Sequence, residues 1–189
     1  MSLKLYENLP EALEIDGQIY PINPDFRIMI KFSMGVQDKI LSSEYVLAEA
    51  LAMFYPEKMP PDKKIQGFYE FYEGGTVKNV THSNGERTFD FDHDASYLIA
   101  AFQQQYDMDL ISVEKLHWWK FKALFRALTE ETKLIKIIGY RSVDLNKMSK
   151  ETREFYANMK IEYALPQAKG DAIASEQLFK QLMGGDLNG

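Results

Sequence analysis

Apolar side chains recur along this chain with helical spacing in six or seven places, and with strand-like alternation in one. The alternating place comes first. Leu13-Glu14-Ile15 and Gln18-Ile19-Tyr20 flank Asp16-Gly17, a pair suited to the positive φ angles of a type I′ turn, so a β-hairpin is predicted. Pro21 and Pro24 end it, and Pro24 suits the first turn of a following helix. A two-stranded hairpin is marginal alone, so it is expected to lie against helices or add to another sheet.

The helical spacing begins with Phe26, Met29, Ile30, Ser33, Met34 and Gln37, which predict a helix over about 24–40. Val46, Leu47, Ala50, Leu51 and Phe54 predict another over about 44–54, closed by Pro56, Pro60 and Pro61. Ile65, Phe68, Tyr69 and Tyr72 mark a third over about 61–73, ending at Gly74-Gly75, where a left-handed residue is free of steric cost. Further along, Tyr97, Leu98, Ala101, Phe102 and Gln105 give a helix over about 94–106, with Asp94 as its expected cap. Trp118, Phe121, Leu124, Phe125 and Leu128 give one over about 113–128, with Ser112 as N-cap. Thr129 is expected to open a short helix through Leu134, Ile135, Ile137 and Ile138 to Gly139. Ser149 opens the last, whose stripe of Phe155, Tyr156, Met159 and Tyr163 runs toward Pro166.

Two stretches break the pattern. Residues 74–91 carry Gly75, Asn79, Ser83, Asn84 and Gly85 with few apolar side chains before Phe89, and residues 74–88 are expected to form a flexible excursion. Beyond Ala168, Ile173, Leu178, Phe179, Leu182 and Met183 support no more than a weak amphipathic turn or two. The expected architecture is therefore mainly α: a multi-helix domain over 1–168 with a small N-terminal β-hairpin, followed by a loosely ordered tail at 169–189. About 75 residues precede the excursion, too few to stabilise a large core alone, so no domain boundary is placed there.

Composition narrows the function. The chain has no cysteine, which excludes a disulfide framework, thiolate catalysis and sulfur-built zinc sites. No apolar run approaches the roughly 20 residues that cross a bilayer, and the acidic start lacks the features of a secretory signal, so a cytoplasmic protein with no membrane contact is expected. The Asn79-Val80-Thr81 sequon is then an accident. Net charge is -6, unevenly spread: residues 111–169 hold 12 Lys/Arg against 7 Asp/Glu, and the remainder 10 against 21. Opposite signs within one chain steer complementary partners, including a second copy. Protein partners are favoured over nucleic acid because the basic residues are dispersed among apolar ones.

The candidate chemistry is sparse. Asp90-Phe91-Asp92-His93-Asp94 resembles a cation loop, but a helix–loop–helix calcium site needs Gly and Glu where this chain has Ala95 and Ala101. Its expected form is an extended segment with Phe89 and Phe91 inward and Asp90 and Asp92 outward, leading into a helix cap. His82, His93 and His117 fall into no ligand motif, and the phosphate-loop, dinucleotide and serine-hydrolase patterns are missing. Glu130 and Glu131 read as first-turn acids that favour the helix dipole. No catalytic residue, metal or cofactor is assigned, and the expected function is non-catalytic. Trp118 and Trp119 diverge by roughly 100° on a helix. One is thus expected in the core and the other at an edge or partner surface. Lys133, Lys136, Arg141, Lys147, Lys150 and Arg153 surround the turn between the final helices. Of these, Lys133, Lys136, Arg141 and Lys150 join the two tryptophans as candidate partner-binding residues.

Four segments carry a resemblance to a known family. They are the entry from Asp92 to Tyr97, Leu116-His117-Trp118-Trp119-Lys120-Phe121, Ile138-Gly139-Tyr140-Arg141, and Tyr163-Ala164-Leu165-Pro166. Over roughly residues 10–166 the chain resembles the bacteriophage fifteenth-gene-product family of siphophages and prophages of Gram-positive bacteria. The resemblance implies a place in the tail-morphogenesis gene group and a role as a tail assembly chaperone for the tape-measure or tail-tube protein. It carries no active site over. Such a role suits an aromatic, methionine-containing helical surface, since nine Met offer adaptable contacts to an amphipathic helix. Two other readings compete. A structural component would stay in the finished virion tail, and a nucleic-acid-binding accessory protein would bind through residues 111–169 with steep salt dependence.

Overall fold

The computed structural model describes residues 4–38, 41–58, 60–75 and 87–166. Within them the architecture is mainly helical, with seven α-helices and the hairpin at the N-terminus. β1 (Ala12–Ile15) and β2 (Gln18–Pro21) pair antiparallel, with Leu13 opposite Tyr20 and Glu14 opposite Ile19. Asp16 and Gly17 take φ of 51° and 74°, the backbone a type I′ turn requires. Because side chains alternate across a strand, this register turns Leu13 to the core and leaves Ile19 exposed. The hairpin lies against a helix, α3 (Pro61–Glu73), at Gly67, where an added Cβ would sit 2.8 Å from Ile15 Cδ1.

α1 (Phe26–Gln37) and α2 (Ser43–Phe54) form a helical pair, capped by Asp25 and Ser42, whose side chains accept from Arg27 N and Tyr45 N. α4 (Ala95–Tyr106), α5 (Trp118–Arg126) and α6 (Lys133–Ser142) complete the core together with Ile22, Phe89, Phe91, Leu110, Leu116 and Leu128 from the connecting segments. The core is built largely of rings. Phe121 of α5 is its hub, stacking on Phe26, Phe102, Trp118 and Phe125 at centroid distances of 4.9 to 5.9 Å. A second group joins Phe32, Phe54, Phe68 and Tyr72 edge-on and stacked. A 3₁₀ turn at Leu145–Lys147 leads to α7 (Lys150–Glu162), none of whose residues is buried.

Several boundaries differ from expectation, the clearest where a tertiary contact overrides local pattern. Pro24 precedes the cap of α1, with its carbonyl accepting from Trp118 N at 2.8 Å, while Phe26 N donates to Leu116 O at 3.0 Å. That pairing holds His117 extended, so α5 begins at Trp118 with His117 as its cap, and Ser112 is not its N-cap. Likewise the helix expected from Thr129 to Gly139 spans Lys133–Ser142, with Thr132 at the N-cap position and Gly139 inside it. Residues 91–94 form turns where an extended run was expected, although Phe89 and Phe91 do point inward. The expected tail, the sequon, His82 and all but the ends of the 74–88 excursion lie outside the described residues.

Candidate protein-interaction site

The last turn of any helix leaves backbone carbonyls without intrahelical partners. In α3 three donors from α5 meet them. Trp118 Nε1 donates to Tyr72 O at 2.9 Å, Trp119 Nε1 to Phe71 O at 2.8 Å, and Lys122 Nζ to both Tyr72 O, at 2.8 Å, and Gly74 O. Trp118 and Lys122 are four residues apart and so share a face, with Nζ 5.2 Å from the indole centroid. Trp119 stacks on Phe71 at 5.4 Å. His117 orients the entry: its Nδ1 accepts from Trp119 N and its Nε2 hydrogen-bonds Pro10 O at 3.1 Å, so Nε2 carries the proton.

Both tryptophans are thus interior, which corrects the expected split between a core and a partner-facing indole. The 100° divergence holds, but five of the nine residues of α5 are buried, so the helix has interior on both sides. Lys122 is not among the sequence candidates, although Trp118-Trp119-Lys120-Phe121-Lys122 places a long donor one turn beyond an indole.

Burial pushes the Lys122 ammonium down to about 7, with Arg126 adding repulsion and Glu73 opposing it. A neutral amine can still donate to both carbonyls, so losing the proton keeps the cap. The unfolded chain has an ordinary lysine near 10.4, and so binds more protons than the folded chain between those values. Stability is therefore expected to rise with pH from about 7 toward 10. Above that, Tyr55, raised to about 12 by burial, acts in the opposite sense, since the folded chain then holds the extra proton. Urea midpoints at pH 6.5 and 9.5 test this. Lys122→Met should flatten the slope, and an equal slope in that variant would rule Lys122 out as its source.

A second node forms around Arg141. Its Nη1 and Nη2 hold the two oxygens of Asp94 at 2.7 and 2.8 Å, and its Nη1 also donates to Thr88 O and its Nε to Tyr163 O. Both side chains are buried. This corrects two expectations: Asp94 stands at the N-cap position of α4 without capping it, and Arg141 is an interior clamp, unavailable to a partner. The acidic run is likewise internally used, with Asp90 Oδ1 accepting from Asp92 N and His93 N, and Asp94 Oδ2 from Asp90 N. Arg87 pairs with Asp90.

The remaining candidates reach the surface. Lys133, Lys136 and Lys150 are exposed on the α6–α7 pair, whose seam is lined by Tyr140, Phe155, Tyr156 and Tyr163. Lys133 Nζ donates to Tyr163 Oη at 2.7 Å and lies 4.6 Å from that ring's centroid, and this bond raises its affinity for the proton. Phe155 stays 50% exposed and Ile161 77% exposed. The seam thus carries aromatic and cationic side chains at the surface, a composition that suits a protein partner, whereas Ile161 and Lys150 point to the other side of α7. Among the described residues no helix is long and apolar enough to cross a membrane.

Comparison with known families gives a match to Bacteriophage Gp15 protein over residues 5–165. No curated protein and no solved structure matches the chain.

Proposed function

The chain belongs to the bacteriophage Gp15 protein family, a family of the phage tail-morphogenesis cluster, and from that premise we propose that it is a non-catalytic tail assembly chaperone for the tape-measure or tail-tube protein. The observation that carries this reading is the α6–α7 strip. A folded protein buries a half-exposed phenylalanine when packing allows, yet Phe155 stays exposed at the seam that carries Lys133, on a helix with no buried residue. A long amphipathic client awaiting tail-tube polymerisation offers what such a strip lacks: an apolar face to cover Phe155, and carboxylates for Lys133 and Lys136. The contact is of the helix-in-groove kind, with charge setting orientation and encounter rate more than affinity.

Co-expression with the neighbouring tape-measure protein, followed by light scattering on the purified material, tests the proposal. A soluble stoichiometric complex is expected. Phe155→Ala combined with Lys136→Glu should weaken it about tenfold or more, as loss of a central aromatic anchor does, while the folded state is retained because both side chains are exposed. A tape measure that stays insoluble beside an unbound, folded partner would remove the chaperone reading. Recovery of the protein in purified particles would favour the virion-component reading, since a chaperone leaves.

A further inference from the structure

The helix α7 is held unlike the other six. It packs on α6 and on the 3₁₀ turn, buries none of its residues, and contributes nothing to the buried core. What fastens it is the ring of Tyr140, against which Phe155 and Tyr156 lie edge-on, and the C-cap residue Tyr163. The Tyr163 ring stacks on Tyr140 at 5.9 Å, its hydroxyl accepts from Lys133, and its carbonyl accepts from Arg141 Nε at 2.6 Å. Releasing these contacts strands no buried charge, because Arg141 keeps both Asp94 oxygens and Thr88 O. At the other end Arg153 of α7 donates to Leu145 O at 3.0 Å and Met148 O at 3.4 Å. The turn and the helix are therefore tied to each other and can leave together, pivoting at Val143, whose backbone is extended.

We propose that α7 is an exchangeable arm, and that the α6 face beneath it accepts the α7 of a second copy of this chain. The occupant follows from the geometry. The helix that fits this face is α7 itself, so another copy brings an identical set of contacts, including its own Tyr163 to meet Lys133, Tyr140 and Arg141. Exchanging an identical element replaces every contact it breaks, which makes it a low-cost route to association. The inference is independent of the tape-measure reading, because it needs no client.

The chain has no cysteine, so single substitutions give unique attachment points. Lys133 and Glu162 are both exposed, and Glu162 lies close enough to act electrostatically on Lys133. Lys133→Cys and Glu162→Cys full-length variants are mixed at high concentration, warmed, cooled and treated with a short bis-maleimide. The expected result is a covalent dimer joining position 133 of one copy to 162 of the other, several-fold more abundant than dimers joining like positions. Linking the doubly substituted chain to itself at high dilution beforehand should abolish dimer formation. Equal yields of like and unlike dimers would overturn the proposal. Native-state hydrogen exchange on the unaltered chain provides a second reading. Amides of α7 should exchange through an opening that leaves α5 protected, and exchange of α7 only with global unfolding would also overturn it.

Discussion

Arg141→Ala is expected to destabilise the protein by about 3–5 kcal/mol, because it leaves the Asp94 carboxylate buried without its cation. For a chain of this size that corresponds to a fall in Tm of roughly 6–20 °C. The argument rests on asymmetry. Intact, the bidentate pair offsets much of the cost of desolvating its members, and its net contribution is modest. Once Arg141 is removed, Asp94 keeps Asp90 N as its remaining hydrogen-bond donor among the described residues, with Arg87 near enough to act on it electrostatically. Two further carbonyls, Thr88 O and Tyr163 O, lose a donor as well. Asp94→Ala should be similarly costly, since it isolates the guanidinium. The double variant should cost clearly less than the two single losses added, because neither charge is then left alone. Equilibrium urea unfolding of the four proteins measures this. Additive losses would mean that the two groups act separately and that the clamp contributes nothing as a pair.

That node also shows how far the sequence could be read. Three of the four segments that carried the family resemblance meet there: the entry containing Asp94, the segment ending in Arg141, and the segment beginning with Tyr163. Resemblance marked the segments; nothing in their spacing said that they touch. Periodicity located the hairpin and the seven α-helices of the described residues, because burial imposes a period that local sequence records. It failed where a distant partner decided the outcome. Ser112 has the chemistry of a cap, yet the backbone pairing of Leu116 and Trp118 with residues 24–26 delays α5 until His117 can cap it. Asp94 has the chemistry of a cap too, and a buried arginine 47 residues away claims its carboxylate. The same limit governs the surface. A cationic side chain looks alike in sequence whether it clamps the interior, as Arg141 and Lys122 do, or faces solvent, as Lys133, Lys136 and Lys150 do. The tryptophan pair was misassigned for a related reason: helix geometry gives the angle between two side chains, but the number of walls around the helix is a property of the whole fold.

Trp118→Ala should be comparably severe, with an expected loss of about 3–5 kcal/mol. The indole is fully buried and stacks on Tyr72 at 5.6 Å and on Phe121 at 5.7 Å, so its removal opens a cavity between α3 and the aromatic hub of α5. The hydrogen bond is a smaller part of the effect, because Tyr72 O also accepts from Lys122. Trp118→Phe, which keeps a ring and loses the N–H, should therefore cost less than half as much. The substitution also reaches Lys122. Without the indole its ammonium loses a cation–π contact and gains room for water, so the burial that pushes its proton off is relieved. The rise in stability from pH 7 toward 10 should then shrink in Trp118→Ala, although the lysine itself is untouched. A partner-facing tryptophan would behave in the opposite way: stability within about 0.5 kcal/mol of the parent, an unchanged pH slope and a weakened complex. Denaturation of the isolated chain at two pH values separates the two cases without any partner present. A parent-like midpoint in Trp118→Ala would place the indole outside the core and undo the account of how α3 is closed. A large loss with a flattened slope would tie the tryptophan, the buried lysine and the end of α3 into one structural unit, leaving the exposed α6–α7 strip to meet other proteins.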